Sequence, residues 1–369
     1  MSRQQLRVSI VDPASWSLAY DAPLGAALAR AGCDVTLHCT RSPHGAEAMS
    51  SAPGFRVEES FYRSGYGLGF LPRRAGRAIQ HPLDLAKLTR RLRRDADVVM
   101  VQWLPGRGID ARAWAKLARE LPVTFTAHNA QERDNAADPA LLAGFSAVIA
   151  HSEGGARVLR EAGLGEVWQM RLGAYTQYAE AADPPEPPIA VDDDAPLVVL
   201  PGLLRDYKGV DVLLAAWPAV RAEVPNARLV VAGRPMGIEL PTGDDVPAGA
   251  TIVPRFIGED ELGWLLRRAQ VCCLPYRRID MSGIAASALA CGTPLVLSDV
   301  GGFVEYVGRG GVTVPVGDPD ALAATLVDVL THDDRRLRLQ QEARAAIADV
   351  YSWDAIAREY VQRFGSLRG

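Results

Sequence analysis

Two glycine-containing turns carry the residues of this sequence that are best suited to bind an anion. The first, "GLLRDYKG", spans residues 202–209 and brackets a predicted helix start with a glycine, an arginine and a lysine. The second, Ser282-Gly283, opens the almost wholly apolar helix "GIAASALA". Helix N-termini present unpaired N–H groups to anions, and two cations beside them suit a diphosphate. For residues 202–209, a solvated basic turn is an equally good explanation.

The elements that must position these turns alternate between short apolar strands and amphipathic helices. Strand-like runs fill the first half, among them "LRVSIVD", "DVTLHC", "ADVVMVQW" and "PVTFTAH", with one long irregular region after the second of them. The pattern restarts with "LVVLPG", "ARLVVAG", "ATIVPRF" and "VCCLPY". It predicts an α/β protein with two doubly wound, Rossmann-like parallel-sheet domains. Their ligands should bind at the carboxyl ends of the strands, in a central cleft.

A proline-rich, acidic segment without periodicity separates the two halves. It spans residues 178–196 and predicts a linker. Residues 1–177 then form an N-terminal domain and residues 197–350 a C-terminal domain. The last segment, 351–369, is predicted to be a helix that packs back toward the N-terminal domain.

Composition excludes several classes of protein. Of the 369 residues, 48% are hydrophobic and 23% are charged, as in a soluble globular protein. A formal net charge of −4 argues against nucleic-acid binding. The sequence shows neither a signal peptide nor an apolar run long enough to span a membrane, which predicts a cytoplasmic chain. The five cysteines lack the spacing of a metal site, so we expect them to be reduced core residues.

Taken in order, the motifs of both halves resemble one enzyme family. "GLLRDYKGVDVLLAAW", "LVVAG" and "LPYRRIDMSGIAASALACGTPLVLSDVGGFVEYV" are similar to the donor half of a GT-B glycosyltransferase of family 4. "VMVQWLP", "TFTAHNAQERD" and "VIAHSEGGARVL" are similar to the acceptor half. The resemblance covers essentially the whole chain. It implies that the N-terminal domain binds the acceptor and that the C-terminal domain binds a nucleotide sugar.

The family resemblance also assigns the donor contacts. It implies a nucleotide diphosphate sugar as the donor substrate, with UDP favoured over GDP, and no tightly bound cofactor. Lys208 of the "KG" turn should hold the diphosphate, and the helix that opens at Ser282 and Gly283 should point at the phosphates and the sugar. Arg205 is expected to replace the arginine that the family usually has where this chain has Leu203. The other expected donor contacts are Gly202, Ile257, Ile284 and Glu305.

This chain departs from the family at a pair of glutamates. Family members usually carry two of them eight positions apart around this helix, and their places hold Ile279 and Ser287 here. Ser287 could still bond a ribose hydroxyl, more weakly than a carboxylate does. Asp280 and Ser282 are the nearest polar replacements at the sugar, and Asp280 is therefore a catalytic candidate.

The acceptor half offers a second set of candidates. His128 ends a strand in "TAHN", where the resemblance implies a functional histidine, and it is the main catalytic candidate; a structural loop histidine is the alternative. His151 is predicted to be structural or to line the acceptor site. Tyr20 and Asp21 follow the first loop and could contact the acceptor, although Asp21 could equally be a helix cap. Trp103 could line the acceptor cleft or simply pack.

No metal is expected in the reaction. No DxD pair follows a strand, and the acidic "VDDDAP" lies in the predicted linker. In this fold family the helix dipole, with Lys and Arg, takes the place of a metal.

An arginine-rich segment, residues 72–95, suggests a membrane contact. Leu85, Leu88 and Leu92 follow helical spacing, with arginines between them. This face could meet anionic lipid on the inner side of a membrane and so serve a lipid-linked acceptor. The alternative is an ordinary surface helix.

The resemblance predicts that a sugar moves from the donor to a hydroxyl of a small-molecule, glycan or lipid-linked acceptor, with retention of anomeric configuration. Two alternatives stay open. One is a nucleotide-sugar epimerase or phosphorylase on the same fold. The other is a homologue that only binds nucleotide, which the missing glutamate pair would fit.

Overall fold

Each half of the chain builds one parallel β-sheet covered by helices. The structure is a computed structural model that describes residues 5–41, 53–63, 70–130, 138–190 and 194–367, the side chains of 70–75 aside. One unit consists of Met1–Gly173 and Trp353–Gly369, and the other of Ala174–Ser352. The "QERD" part of the acceptor-half motif and residues 191–193 of "VDDDAP" lie outside the described residues.

The first unit contains strands β1 to β7 and helices α1 to α5. The strands are β1 Arg7–Asp12, β2 Asp34–Cys39, β3 Phe55–Glu59, β4 Val98–Val101, β5 Val123–Ala127, β6 Ala147–Ala150 and β7 Val167–Gln169. The helices are α1 Leu18–Arg30, α2 Phe70–Asp95, α3 Gly108–Leu117, α4 Pro139–Leu142 and α5 Glu153–Glu161. All strands are parallel, in the order β3-β2-β1-β4-β5-β6-β7.

The second unit repeats this architecture with strands β8 to β13 and helices α6 to α11. The strands are β8 Leu197–Pro201, β9 Arg228–Ala232, β10 Ala250–Val253, β11 Val271–Leu274, β12 Leu295–Ser298 and β13 Gly311–Val314. The helices are α6 Gln177–Glu180, α7 Val210–Glu223, α8 Glu259–Arg268, α9 Gly283–Ala290, α10 Pro319–Thr331 and α11 Asp333–Ala348. The parallel order is β10-β9-β8-β11-β12-β13.

Strand β8 shows why these short apolar runs become central strands. Val198 and Leu200 join one buried core, whereas Leu197 and Val199 join another. Successive side chains of a strand point to opposite faces, so a sheet covered on both sides needs an unbroken apolar run. The two sheets confirm the predicted α/β architecture of two Rossmann-like parallel-sheet units.

The sequence analysis missed one strand in each sheet. β3 lies in the region described above as irregular, and β13 precedes the C-terminal helices. Both are edge strands. In β3 only Phe55 is buried, and β13 has four residues and begins at a glycine. An edge strand needs no continuous apolar run, so neither segment carries the pattern of the central strands.

Helix α12, Trp353–Ser366, completes the first unit. Its Tyr360 hydroxyl lies 2.9 Å from that of Tyr20 in α1, and its Asp354 accepts a hydrogen bond from Arg30. The end of the chain therefore packs on the helix that follows the first strand.

The start of the predicted linker packs on the second unit. Tyr178 of α6 is buried, and its carbonyl oxygen accepts a hydrogen bond of 2.6 Å from Arg267 of α8. The same arginine forms an ion pair with Asp183. These residues were predicted to be linker because "YAEAAD" has no periodicity longer than one helical turn.

The cysteines are free thiols, and four of them are buried. Among the described residues, no helix has the length and the apolarity needed to cross a membrane.

Candidate functional site

The strand order of each sheet reverses beside its first strand, and this point determines where a ligand can bind. β1 lies between β2 and β4, and β8 lies between β9 and β11. Connections leave the two central strands in opposite directions, which opens a crevice outside their carboxyl ends. The segments that follow β1, β4, β8 and β11 carry most of the predicted site residues. Each unit therefore has its own candidate site.

Glycines form the turn after β8 because the backbone there leaves no room for a side chain. Gly202 has φ 98° and Gly209 has φ 65°, both in the left-handed region. A Cβ on Gly209 would lie 2.0 Å from the carbonyl oxygen of Pro275, so the turn packs directly on the segment after β11. Between the glycines a single 3-10 turn, Asp206–Lys208, ends in a buried lysine.

Lys208 is a buried cation with weak partners. Its Nζ lies 3.4 Å from the carbonyl oxygen of Pro201 and 4.9 Å from the centroid of the Tyr276 ring. Burial lowers the pKa of Lys208 to about 8, and the nearby Arg205 acts in the same direction. No carboxylate is among the groups that shift this pKa. An anion bound against Nζ would supply the missing counter-charge.

The N-terminus of α9 lies beside this lysine. A Cβ on Gly202 would stand 3.2 Å from both Lys208 Nζ and Ile284 Cδ1, so the turn and the helix start converge. Ser282 caps the helix, because its hydroxyl accepts a hydrogen bond of 3.3 Å from Ala285 N. The N–H groups of the first helical residues have no acceptor within the helix. A cation beside a helix start is an arrangement that suits an anion.

The residues that occupy the places of the two glutamates are buried. Ser287 donates its hydroxyl hydrogen to the carbonyl oxygen of Gly283 at 2.7 Å, so it can offer a ligand only an acceptor. Ile279 is an apolar core residue. Asp280 is also buried, and its backbone carbonyl holds the N–H of Gly302 at 3.0 Å. The structure thus brings Asp280, Ser282 and Ser287 to one helix start.

The remaining predicted donor residues lie on three neighbouring segments. Arg205 is exposed just before the 3-10 turn. Ile257 is half-buried after β10 and packs on the same core as Ile284. Glu305 is half-buried in the 3-10 segment after β12. Their contact with a donor remains a prediction.

The affinity for a nucleoside diphosphate is expected to fall as pH rises above about 8. Below pH 8 the amine of Lys208 is protonated in the ligand-free protein. Above pH 8 the amine is mostly neutral, so binding of the anion requires the uptake of a proton and the affinity falls. The diphosphate is already fully ionised there, since its last pKa is about 6. Titration calorimetry with UDP from pH 7 to 10 should show up to roughly a tenfold loss per pH unit above the lysine pKa.

Lys208→Arg is the control for this pH dependence, because a guanidinium stays charged throughout the range. Its affinity, whatever the absolute value, should not change with pH. A wild-type affinity that stays level up to pH 10 would contradict the assignment of Lys208.

A substitution at Gly283 is expected to weaken donor binding and stability together. A β-branched side chain here would crowd the first N–H groups of α9, where the anion is expected. An added Cβ would also lie 3.0 Å from the Tyr175 ring. Gly283→Val should lower the free energy of unfolding by about 1–3 kcal/mol because the ring must move.

A second substitution separates these two effects. Tyr175→Ala in the Gly283→Val background should restore the melting temperature, while the affinity for UDP stays low because the valine still crowds the helix start. Recovery of both properties in the double variant would remove the donor from this helix.

In the first unit, His128 is the centre of a polar and aromatic cluster. Its ring stacks on that of Trp103, with centroids 4.9 Å apart and planes 17° apart. Its Nε2 lies 3.0 Å from Gln102 Oε1 and 3.3 Å from Ser17 Oγ. Because an amide oxygen can only accept, Nε2 carries the hydrogen and Nδ1 is unprotonated. Burial, followed by the neighbouring His151, lowers the pKa of His128 well below its usual range, so the ring is neutral.

Two other predicted acceptor residues pack behind this histidine. The ring centroid of Tyr20 is 5.3 Å from that of His128 and 5.1 Å from that of His151. Both are buried. His151 donates from Nδ1 to the carbonyl oxygen of Met170 at 2.9 Å, and burial lowers the pKa of His151 to about 4. Its Nε2 is a buried acceptor without a partner.

Asp21 is not a helix cap. Helix α1 begins at Leu18 and its N-cap is Ser17, so Asp21 lies inside the first turn of the helix. Both oxygens of its buried carboxyl lack a donor, and the carboxyl lies beside that of Asp12. Burial and then the charge of Asp12 raise the pKa of Asp21 well above its usual range. The sequence suggested a cap because α1 was expected to start only at Ala22.

Three residues of this cluster were not predicted from the sequence. They are Trp16, Ser17 and Gln102. Trp103 donates its indole N–H to Ser17 Oγ at 2.5 Å, and the exposed Trp16 ring lies 5.3 Å from the Trp103 ring. Their only signal in the sequence is position, because "ASWS" lies one residue after the predicted strand "LRVSIVD" and "QW" ends the predicted strand "ADVVMVQW".

Within the described ranges, no group of three or more His, Cys, Asp or Glu side chains is arranged to hold a metal ion.

In comparisons with known proteins, each half of the chain matches a glycosyltransferase family model. A model described as "Glycosyltransferase Family 4" matches residues 23–168, and one described as "Glycosyl transferases group 1" matches residues 195–332. A phosphatidyl-myo-inositol mannosyltransferase of Mycolicibacterium smegmatis is 32% identical over 169 residues, 44% of this chain and 42% of the relative. A D-inositol 3-phosphate glycosyltransferase of Xylanimonas cellulosilytica is 35% identical over 173 residues, 44% of this chain and 40% of the relative. The matches thus span less than half of the length of these relatives.

Solved structures share the fold over nearly the whole chain. Sucrose-phosphate synthase from Thermosynechococcus elongatus is 20% identical with a TM-score of 0.67, covering 98% of this chain and 99% of its own. The Anabaena protein HepE, in complex with UDP and glucose, is 15% identical with a TM-score of 0.71, covering 98% and 100%. These likenesses confirm the predicted GT-B fold.

Proposed function

Because both halves of this chain match glycosyltransferase family models and the fold is GT-B, we propose that it transfers a sugar from a nucleotide diphosphate to an acceptor hydroxyl. The observation that carries the proposal is the buried Lys208, which faces the start of α9 without a carboxylate partner. The solved structure of the similar protein HepE is a complex with UDP, and this favours uridine as the nucleoside of the donor. The acceptor is a small molecule, glycan or lipid-linked sugar, bound at the His128 cluster.

In the proposed reaction the bond between the anomeric carbon and the diphosphate oxygen breaks. The acceptor oxygen bonds to that carbon, and the acceptor proton passes to the leaving diphosphate. Lys208 and the α9 start stabilise the charge that the leaving group gains, and neutral His128 positions a sugar hydroxyl. Attack from the face that the diphosphate leaves gives retention and needs no covalent intermediate.

A screen of nucleotides and nucleotide sugars tests this proposal. UDP and a UDP sugar should raise the melting temperature, because a ligand that binds only the folded state stabilises it. Turnover should then release UDP together with a glycosylated acceptor. An altered sugar nucleotide without a second product would identify an epimerase, and binding without any turnover would identify a non-catalytic homologue.

We expect turnover to be independent of divalent cations. Lys208 and the α9 start supply positive potential at the diphosphate, which stabilises the leaving group without a metal ion. The rate of UDP release should be unchanged by EDTA. Loss of turnover in EDTA that magnesium or manganese restores would refute this account of the site.

We also propose that α2 meets anionic lipid. Leu85, Leu88 and Leu92 are buried in the core of the first unit. The opposite face exposes Ile79 and Leu83, at 72% and 67% of their surface, in line with the exposed cations Lys87, Arg90 and Arg94. Apolar side chains followed by cations on one helix face suit the boundary of an anionic membrane.

Vesicle sedimentation tests this membrane contact. The protein should sediment with vesicles that contain phosphatidylglycerol and remain in solution with phosphatidylcholine alone. Ile79→Ser with Leu83→Ser should abolish sedimentation, whereas Leu337→Ser, at an apolar site of the second unit that is 51% exposed, should not. Equal sedimentation of the two variants would contradict the proposal.

A further inference from the structure

The loop after β1 holds an exposed tryptophan in a fixed position. Trp16 exposes 65% of its surface, although it lies beside the buried cluster around His128. The preceding residue, Ser15, has φ 57°, which costs energy for a residue other than glycine. Its hydroxyl donates to the carbonyl oxygen of Thr40 at 2.6 Å and accepts from the N–H of Thr40 at 3.1 Å. The carboxylate of Asp12 accepts the N–H of Ser17 at 2.8 Å. These hydrogen bonds hold the strained loop in one conformation. They thereby preorganise the indole of Trp16 for a ligand.

Polar atoms without partners lie at the carboxyl ends of the neighbouring strands β4, β5 and β6. Gln102 Nε2 is a buried donor without an acceptor, and His151 Nε2 is a buried acceptor without a donor. The hydroxyl of Thr126, near the end of β5, is also unpaired and buried. Buried polar groups in native proteins are normally hydrogen-bonded, so such a concentration at one sheet edge indicates a polar ligand.

We propose that Trp16 and Trp103 form the binding platform for a pyranose ring of the acceptor. A sugar presents C–H groups on its ring faces and hydroxyls around its rim. The indole rings can pack against the C–H groups of the ring face. The side chains of Gln102, His128 and His151 can form hydrogen bonds with the hydroxyls. A lipid chain would leave these polar groups unsatisfied. This inference rests on the proposed function and specifies the acceptor as a carbohydrate.

NMR titration of the protein with UDP and then with glucose, mannose or galactose tests the platform. At least one hexose should shift the indole N–H resonance of Trp16, which a Trp16→Phe variant identifies. Trp16→Ala should weaken binding of that hexose about tenfold, and Trp16→Phe should retain part of it. Ile109→Ala, at an exposed apolar site of the same unit, is the matched control and should bind like the wild type.

Hexanol serves as an apolar probe in the same titration. A shift of Trp16 by hexanol with none by any hexose would overturn the proposal, as would wild-type hexose binding in Trp16→Ala. Calorimetry with UDP on Trp16→Ala separates this outcome from failure of the proposed function. UDP affinity retained in this variant means that only the platform is wrong, whereas absent UDP binding in the wild type refutes the glycosyltransferase itself.

A buried relay of three side chains holds the loop that carries Trp103. The Tyr62 hydroxyl lies 2.7 Å from His81 Nδ1, and His81 Nε2 lies 2.7 Å from Asp110 Oδ1. The other carboxylate oxygen of Asp110 accepts the N–H of Gly106 at 2.8 Å. Each relay residue is at most 6% exposed.

The backbone is strained at Tyr62, one end of this relay, and at Arg107, in the loop that the other end holds. Tyr62 has φ 53° and Arg107 has φ 43°, and with Ser15 they are the non-glycine residues of positive φ in the part of the chain that the structure describes. A Cβ on Gly106 would lie 2.6 Å from Asp110 Oδ1, so the loop can take this path only with glycine at that position. We infer that Tyr62, His81 and Asp110 are positioning residues for Trp103, and through it for the platform.

Hydrogen exchange of the Trp103 indole N–H tests this role in the ligand-free protein, because that N–H bonds to Ser17. Tyr62→Phe removes one relay bond without changing shape and should speed this exchange about fivefold, the value of one hydrogen bond. Thr89→Val removes a hydroxyl bond of 2.9 Å within α2 and should leave the exchange unchanged. Unchanged exchange of Trp103 in both Tyr62→Phe and Asp110→Asn would refute the inference.

Discussion

Lys208→Ala should bind UDP at least roughly thirtyfold more weakly than the wild type, as measured by calorimetry at pH 7. A charge-assisted contact to a desolvated phosphate contributes about 2 kcal/mol or more. The ligand-free variant should melt at the same temperature or higher. The reason is that Lys208 is buried with only a carbonyl oxygen and a ring beside it, and an unpaired buried charge costs stability.

This pattern distinguishes a binding residue from a structural one. Lys116→Ala removes an exposed lysine of the first unit and is the matched control, with unchanged affinity and stability. If Lys208→Ala bound UDP like the wild type, or lost stability without losing affinity, the lysine would serve the fold and the donor site would lie elsewhere.

His128→Ala should lower turnover roughly 10²-fold while leaving the affinity for UDP nearly unchanged. The ring lies in the first unit, whereas Lys208 and the α9 start lie in the second. Because burial keeps the ring neutral, it acts as a hydrogen-bonding group and not as a cation. Acidification through pH 6.5 should therefore leave its contribution intact.

Two further variants separate this role from packing. His151→Ala disturbs the same ring cluster but removes an imidazole whose Nδ1 is already bound to Met170. It should cost stability and, because its Nε2 is a proposed contact of the acceptor, lower turnover by a smaller factor than His128→Ala. Gln102→Leu removes the acceptor that orients His128 Nε2 and should lower turnover by a smaller factor than His128→Ala. Near-normal turnover in His128→Ala would show that the histidine is structural.

The fold could be predicted from the sequence where a single segment carries the whole signal. The central strands are unbroken apolar runs because both faces of each sheet are covered, and the "KG" turn is contained in eight residues. The edge strands β3 and β13 could not be predicted. Each pairs with only one neighbour, and such a strand does not need an unbroken apolar run.

The first-unit cluster could be predicted only in part, because its members are far apart in sequence. His128 and Trp103 were predicted as site residues because each lies at the end of a predicted strand. Ser17 and Gln102 could not be predicted. They join the cluster because parallel pairing of β1, β4 and β5 brings the loops after these strands together. Asp21 was misjudged because the start of α1 depends on the bonds that Asp12 makes to the loop, which no periodicity reveals.

The discontinuous first unit has a consequence for synthesis on the ribosome. Residues up to Gly173 emerge first, but α1 lacks its cover until α12 follows, after the whole second unit. At roughly 5–20 residues per second that interval lasts about 10–40 s. During it the surface of α1 that Tyr360 covers is exposed in the nascent chain, while the contiguous second unit can already fold. The first unit to be translated is therefore the last to be completed, and a chain that stops before α12 leaves it open to aggregation.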